Sequence, residues 1–183
     1  MRSLIALLAA GSAAVAMAAP AAGALAVVGC AQRAEPGGPQ PSAREVREAQ
    51  RTSLVTRYVT VWGVRQARGF AFDRRHRFWK AGLSVRGDRP VTIRVAAGDR
   101  GWLSLYYVVG PQPRRVADGD PALRFEPCPP GTPSFSNHRP LGPETSWAGG
   151  FIVARRGCAT LLVRRAGARH ATRVRIGFGA RCG

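Results

Sequence analysis

The stretch TLLVRRAGARHATRVRIGF, residues 160–178, decides the fold class of this chain. Apolar and polar residues alternate in its second half, and β-branched and leucine residues fill its first, which is typical of strands with a buried face. Turn-forming residues at Arg165–Gly167 separate the halves. The stretch therefore predicts an antiparallel β-hairpin that turns between Gly167 and His170.

Similar short patterns recur upstream, with turn formers and no long helical pattern between them. The predicted strands, about eight in number, lie at Leu54–Val64, Leu83–Val85, Val91–Val95, Leu103–Val109, Leu123–Phe125, Trp147–Val153, Thr160–Val163 and Val174–Phe178. Short strands spaced in this way are typical of sandwiches and barrels. We expect an all-β domain, an antiparallel β-sandwich of immunoglobulin-like type.

The beginning of the chain has a different composition. Arg2 precedes an almost unbroken apolar run from Leu4 to Gly29, which is typical of an export signal. A small residue and two branched apolar ones precede Cys30, as in bacterial lipoprotein signals, where the cysteine is lipidated. We expect a lipoprotein-type signal peptide at 1–29, a flexible tether with a possible short helix at 30–53, and the β-sandwich domain at 54–183.

Two other fates of this segment stay open. Ala16-Met17-Ala18 and Ala22-Gly23-Ala24 match the small-x-small pattern of ordinary signal cleavage, which would release a soluble protein. An uncleaved membrane anchor is the third possibility, since the run is long enough to span a bilayer. All three predict an exported protein, either lipid-anchored at the outer face of the cell membrane or secreted.

The tether prediction rests on residues 31–41, AQRAEPGGPQP, which are polar and rich in proline and glycine. Ser42 and Glu45 after it have the spacing of a capping box, in which each side chain bonds the other residue's backbone. This pair predicts a short helix that ends near Gln50. A solvated linker is the alternative, because the segment has few apolar residues.

Charge is the strongest functional signal. The chain has 28 Lys and Arg residues against 10 Asp and Glu; loss of Arg2 with the signal leaves 27 − 10, a net charge of +17. We expect an anionic partner, either a lipid or wall polymer, or an envelope protein; nucleic acid is not favoured. The alternative explanation of the positive charge is a biased codon usage, which would produce solvated arginines that have no partner.

The predicted C-terminal hairpin concentrates this charge. No acidic residue follows Glu144. Arg164 and Arg173 or Arg175 fall on neighbouring strands, where facing like charges repel. An external anion would relieve that repulsion, so we take Arg164, Arg173 and Arg175 as candidate anion-binding residues.

A second basic segment lies between the first two predicted strands. Arginines at positions 65, 68, 74, 75 and 77 and Lys80 are interleaved there with Phe70, Phe72, Phe78 and Trp79. Such stretches can stack bases or insert into a headgroup layer. Alternatively, the aromatic rings plug the end of the sandwich while the arginines face water.

The cysteines predict a disulfide, as expected outside the cytoplasm. If Cys30 is lipidated, Cys128, Cys158 and Cys182 remain. The hairpin brings Cys158 and Cys182 to the same end, so we expect this pair, with Cys128–Cys158 as the alternative.

Catalytic and metal-binding motifs are not found. His76, His138 and His170 are scattered, no C-x-x-C occurs, and there is no G-x-S-x-G, P-loop or Rossmann fingerprint. We therefore expect no metal, no cofactor and no enzymatic activity. The alternative is a soluble secreted protein with enzymatic or inhibitory activity, whose pocket is built from the proline-rich loop 127–146.

The centre of that loop holds Phe135, His138 and Arg139, which are candidates for a contact surface. A stiff crossover between two sheets is the other interpretation. After the loop, Gly149-Gly150 follows Trp147 and indicates either a bulge or a close approach of another backbone. Trp147 itself is expected to be core.

Four motifs together resemble a known group. Phe125-x-Pro127-Cys128, Trp147-x-Gly149-Gly150-Phe151, Cys158-x-x-Leu161-x-Val163 and Gly179-x-x-Cys182 resemble the C-terminal pattern of uncharacterised exported proteins and lipoproteins of high-GC Gram-positive bacteria. The resemblance covers roughly residues 78–183. It implies export and carries no established activity.

Overall fold

Strands dominate the computed structural model, which describes residues 25–35, 42–73, 77–108, 110–111 and 113–182. The described strands are β1 (Ala26–Val28), β2 (Leu54–Val55), β3 (Val59–Val61), β4 (Phe78–Lys80), β5 (Leu83–Arg86), β6 (Val91–Val95), β7 (Leu103–Tyr106), β8 (Ala122–Phe125), β9 (Glu144–Trp147), β10 (Gly150–Val153), β11 (Gly157–Arg165) and β12 (Thr172–Phe178).

Helices are short. The α-helix among these residues is α1 (Ala43–Arg51), and short 3₁₀ helices lie at Cys30–Gln32, Val64–Gly69, Ala97–Asp99 and Val116–Asp118. Within the described ranges, no helix has the length and apolar character needed to cross a membrane.

The strands form three sheets. One has five strands in the order β1-β8-β6-β11-β12, one has four in the order β2-β3-β5-β9, and one has three in the order β4-β10-β7. Neighbouring strands are antiparallel except for β1 and β8, which run parallel. Buried side chains from all three sheets, such as Ile93, Val85 and Phe151, pack into one core. The all-β prediction is confirmed at this level.

The C-terminal hairpin is confirmed. β11 and β12 form an antiparallel pair in which Gly157 lies opposite Phe178 at one end and Val163 lies opposite Thr172 at the other. Along β12, buried Val174 and Ile176 alternate with exposed arginines. Because the side-chain period of a strand is two, this pairing buries the apolar set and directs the arginines to solvent.

The predicted strand Trp147–Val153 is instead two strands in two different sheets. The chain leaves β9 after Trp147 and enters β10 at Gly150. A Cβ at Gly149 would lie 2.5 Å from the carbonyl oxygen of Tyr106, and one at Gly150 would overlap the carbonyl oxygen of Trp79. Of the two interpretations of this glycine pair, the close backbone approach is therefore confirmed. Trp147 is core, with 1% of its surface exposed.

Residues 25–35 pack against the folded domain, although the sequence predicts a signal peptide up to residue 29 and a flexible tether from residue 30. β1 pairs with β8, and Val28 is 1% exposed. The Trp147 Nε1 donates to the Gly29 carbonyl oxygen at 2.9 Å. An apolar tripeptide such as Ala26–Val28 has the same composition in a signal as in a buried strand, so composition does not separate them. Residues 1–24 and 36–41, which carry the rest of the signal-peptide and tether predictions, lie outside the described ranges.

Cys30 forms a disulfide with Cys128. A sulfur atom in a disulfide cannot also carry a thioether-linked diacylglyceryl group, so the structure contradicts the predicted lipidation of Cys30. Lipoprotein cleavage before Cys30 would also remove β1 from the five-stranded sheet. The prediction failed because the sequence pattern before Cys30 is shared by lipoprotein signals and by this edge strand.

Cys158 and Cys182 form the other disulfide, as the hairpin geometry predicts, and the alternative Cys128–Cys158 pair does not form. The described residues contain no free cysteine. Disulfides of this kind are consistent with a protein that works outside the cytoplasm.

The capping box is confirmed at the start of α1. The Glu45 amide donates to the Ser42 hydroxyl at 3.3 Å, and the Glu45 carboxylate accepts from the Ser42 amide at 2.7 Å. Hydrogen bonds from the Ser42 hydroxyl and amide hold the pKa of Glu45 below its usual value. α1 buries none of its residues, so its exposed arginines contact solvent rather than the core.

Candidate anion-binding face

Five arginines point outward from one side of the five-stranded sheet. Buried residues alternate with exposed or half-exposed ones along its longer strands, so the two sides of the sheet differ in polarity. We call these five residues the arginine face: Arg94 on β6, Arg124 on β8, Arg164 on β11, and Arg173 and Arg175 on β12.

Strand register spaces these charges. Leu162 lies directly opposite Arg94 on one neighbouring strand and Arg173 on the other. Arg164 lies opposite Thr92, which makes it a diagonal neighbour of both arginines, at about 7 to 8 Å. Arg94 and Arg173 are two strands apart, or about 10 Å. The arginines therefore alternate with uncharged residues instead of facing one another.

The candidate residues from the sequence all belong to this face. Arg164 and Arg173 are diagonal neighbours, and Arg175 lies opposite Thr160. The repulsion expected between them is therefore diagonal and weaker than that of a directly opposed pair. Arg94 and Arg124 were not predicted, because only the order of the strands places β6 and β8 beside the hairpin.

Few acidic groups neutralise the face. Arg124 pairs with Glu126, with 3.0 Å between its Nε and a carboxylate oxygen. Arg94, Arg164 and Arg173 have no acidic partner within ion-pair distance in the part of the chain that the structure describes. The Debye length at physiological salt is roughly 8 Å, close to the separation of these charges, so salt screens their repulsion only in part. An anion bound between them would lower their electrostatic energy.

A shallow groove marks the centre of the arginine face. It has a volume of about 260 Å³ and is lined by Thr92, Arg94, Leu162, Arg164 and Ala171. The guanidinium groups of Arg94 and Arg164 and the hydroxyl of Thr92 can donate hydrogen bonds to phosphate or carboxylate oxygens. The groove thus supplies charge and donors without an acidic lining residue.

The proline-rich loop crosses from β8 in the five-stranded sheet to β9 in the four-stranded sheet, as the crossover interpretation predicts. A cavity of about 390 Å³ beside it is lined mainly by proline and glycine, next to Cys128. Asp88 is the ionisable residue in that lining. One exposed carboxylate offers no acid–base pair, so this cavity gives no support to the enzymatic alternative.

Arg33 and Glu35, which follow β1, contact the centre of this loop. The Arg33 guanidinium lies 3.4 Å from the ring centroid of Phe135 and donates to the Pro133 carbonyl oxygen at 2.9 Å. Glu35 accepts from the Ser134 hydroxyl and the Phe135 amide at 2.6 and 2.7 Å. These contacts occupy one side of Phe135, although 60% of its surface stays exposed.

Electrostatics favour the ionised form of Glu35. Partial burial opposes ionisation, but the hydrogen bonds from Ser134, Arg33 and the Phe135 amide outweigh it and hold the pKa of Glu35 below its usual value. The Arg33 and Glu35 side chains expose only 6% and 11% of their surface. The proposed contact residues His138 and Arg139 lie in the same turn, where the Arg139 carbonyl oxygen accepts from the Ser134 amide.

Three of the four aromatic residues of the second basic segment, Phe70, Phe72 and Trp79, pack into or against the core, whereas Phe78 contacts Tyr106 with ring centroids 6.0 Å apart. Phe70 contacts Phe72 and Trp79 with ring centroids 4.9 and 5.0 Å apart, and Phe72 contacts Phe178 at 5.8 Å. These rings close one end of the core, which supports the plug interpretation over base stacking. Arg74, Arg75 and His76 lie outside the described residues.

The described ranges contain no group of three or more His, Cys, Asp or Glu side chains placed to hold a metal ion. His138 and His170 lie on different loops.

The resemblance to exported proteins of high-GC Gram-positive bacteria stays a prediction. Comparison with protein-family models, with curated proteins and with solved structures finds no match to this chain.

Proposed function

We propose that this chain is an exported, non-catalytic β-sandwich of immunoglobulin-like type that binds an anionic component of the cell envelope through its arginine face. The observation that carries the proposal is a cluster of three arginines without acidic partners among the described residues: Arg94 and Arg164 line one groove, and Arg173 is the diagonal neighbour of Arg164 on the adjacent strand. Net positive charge alone would favour association with anions in general. Clustering on one rigid sheet gives that charge a defined position.

The cost of the cluster supports this role. Directly opposed like charges destabilise a sheet by up to about 1 kcal/mol per pair, and diagonal pairs such as these destabilise it by less. Leu162 and Thr160 show that uncharged residues fit on the same face. A bound polyanion offsets the repulsion and releases counterions, so its affinity depends steeply on salt.

A triple variant tests the arginine face. Arg94→Gln, Arg164→Gln and Arg173→Gln together should weaken binding to long-chain polyphosphate or to anionic vesicles by about tenfold, since each lost exposed contact contributes about 0.2 to 1 kcal/mol. The melting temperature should stay the same or rise, because repulsion on the sheet is removed. Titration at two salt concentrations, with calorimetry of the free protein, measures both effects.

The matched control carries Arg44→Gln, Arg47→Gln and Arg51→Gln on the exposed surface of α1. It has the same change in net charge, and glutamine has a helix propensity close to that of arginine. Equal weakening by the two triple variants would show that binding follows net charge and would refute a dedicated face.

We further propose that the exported form is released by cleavage before Ala26 rather than anchored at Cys30. The supporting observations are the pairing of β1 with β8 and the bond between Cys30 and Cys128. Cleavage after Ala18 or Ala24 keeps β1 in the chain, whereas lipoprotein cleavage removes it. The choice between these sites decides whether the protein is soluble or membrane-held.

Mass spectrometry of the protein exported by a bacterial host tests this release. We expect a free N-terminus at Ala19 or Leu25, no mass increment from a diacylglyceryl group, and a peptide that links Cys30 to Cys128. Recovery of an acylated Cys30 as the first residue would contradict the proposed release and would restore the lipid-anchored form.

A further inference from the structure

A basic pocket lies beside the arginine face, along the outer edge of β12, which is the last strand of the five-stranded sheet. The cavity has a volume of about 390 Å³ and lies between β12 and the 3₁₀ helix Val64–Gly69. Four of its lining residues are arginines and none is acidic; they are Arg65, Arg68, Arg175 and Arg181. Apolar residues such as Leu54 and Ile176 complete its walls.

Two rigid elements position these arginines. A 3₁₀ helix has three residues per turn, so Arg65 and Arg68 lie on the same side of Val64–Gly69. On the other side, Val64 and Ala67 are completely buried and fix the helix to the core. The Ala67 carbonyl oxygen accepts from the Gly179 amide at 2.7 Å, which attaches the helix to the end of β12.

The disulfide at the end of the hairpin positions the remaining arginine. Cys182 is bonded to Cys158 on β11, which keeps the preceding residue, Arg181, beside the sheet. The Gly179 carbonyl oxygen also accepts from Arg156 Nε at 2.9 Å. The pocket is therefore built from segments that the fold holds in place.

The pocket and the arginine face are continuous. Arg175 belongs to the face by its register and also lines the pocket. The route from Arg124 on β8 to β12 crosses three strand spacings, or about 14 Å, before it reaches the pocket at the edge. The positive surface is thus an extended track that ends in a concavity.

This shape discriminates between anionic partners. A lipid headgroup layer is broad and can contact the exposed side of the sheet, but it does not fill a concave cavity at the edge. A flexible linear chain can lie along the sheet and turn into the pocket. Guanidinium groups bind phosphate oxygens in a bidentate manner, which suits a phosphate-bearing chain.

We infer that the pocket binds a segment of a linear phosphate-rich polymer that also crosses the arginine face. This inference rests on the proposed function and selects its partner: an anionic polymer and not a membrane surface. A single orthophosphate ion can contact either the pocket or the arginine face, whereas a long polymer can contact both. The affinity should therefore increase with polymer length until the polymer covers the pocket and the face.

The test compares three triple variants with the same change in net charge. The pocket variant carries Arg65→Gln, Arg68→Gln and Arg181→Gln; the face variant and the α1 control are those described above. Each is titrated with inorganic polyphosphate of increasing length and with vesicles that contain phosphatidylglycerol. Thermal unfolding of each variant checks that the domain is intact.

For the pocket variant, we expect about tenfold weaker binding of long polyphosphate than for the α1 control, and a salt dependence reduced by about one unit of slope per arginine that contacts phosphate. Binding to vesicles should match that of the α1 control. The affinity for short polyphosphate should change less than that for long polymer, since a short chain does not reach from the face to the pocket.

Three outcomes are decisive. If the pocket variant and the α1 control bind polyphosphate equally while the face variant binds it more weakly, the inference is refuted and the proposed function stands. If the pocket variant loses vesicle binding as strongly as polymer binding, the preference for a linear polymer is refuted. If the pocket, face and α1 variants all bind polyphosphate and vesicles with equal affinity, binding follows net charge alone and the proposed function itself fails.

Discussion

Replacing Cys30 and Cys128 together with serine is expected to lower the free energy of unfolding by about 4.7 kcal/mol. The two residues are 98 positions apart, so their bond closes a long loop and removes much of the conformational entropy of the unfolded chain. The corresponding loss for Cys158 and Cys182, which are 24 positions apart, is about 3.4 kcal/mol by the same chain-entropy relation. Denaturant unfolding of both double variants measures the two losses.

The order of the two losses is the sharper part of this expectation, because it depends on loop length more than on the absolute scale. The Cys158→Ser/Cys182→Ser variant is the control for removal of a disulfide as such. A loss below about 1 kcal/mol for the Cys30–Cys128 pair would lie outside the usual range for a native disulfide. Such a result would show that this bond does not hold the N-terminal segment to the domain.

Gly150→Ala is expected to destabilise the protein by about 3 kcal/mol or more, at the upper end of the range for overpacked sites. Gly150 lies in the central strand of the three-stranded sheet, between Lys80 on β4 and Tyr106 on β7. A methyl group there would overlap the Trp79 carbonyl oxygen, and backbone atoms in a paired strand cannot move aside as a flexible side chain can. Thermal or denaturant unfolding measures the effect.

Gly98→Ala is the matched control, since a Cβ at Gly98 would have nothing within 4 Å. It should change the free energy of unfolding by no more than about 0.5 kcal/mol. Similar values for the two substitutions would refute the close approach of β4 and β10 at this point.

Alternation in the sequence was a good guide where one face of a strand is buried and the other is exposed. β6 and β12 have that pattern and were predicted with nearly their observed bounds. β4 was not predicted, because Phe78–Lys80 is short and lies within a basic segment. The sequence predicts one strand over Trp147–Val153, since nothing local shows that the two halves of this segment enter different sheets.

The candidate site was predictable in part for the same reason. The hairpin placed Arg164, Arg173 and Arg175 together because their strands are consecutive in the sequence. Arg94 joins them through the order of strands in the sheet, which depends on long-range packing. The pocket combines the 3₁₀ helix after β3 with residues near the C-terminus, so no local pattern could have indicated it.

Parallel pairing of β1 with β8 also constrains the order in which the domain folds. Ala26 pairs with Leu123, and Cys30 bonds to Cys128, so the first described segment has its partners in the second half of the chain. Contacts between such distant residues form slowly, because a long loop must close before they gain any energy. The local hairpins can form earlier. Because a chain is synthesised from its N-terminus, β1 must wait unpaired until β8 has been made, and the five-stranded sheet is completed at a late step by a segment that was made early.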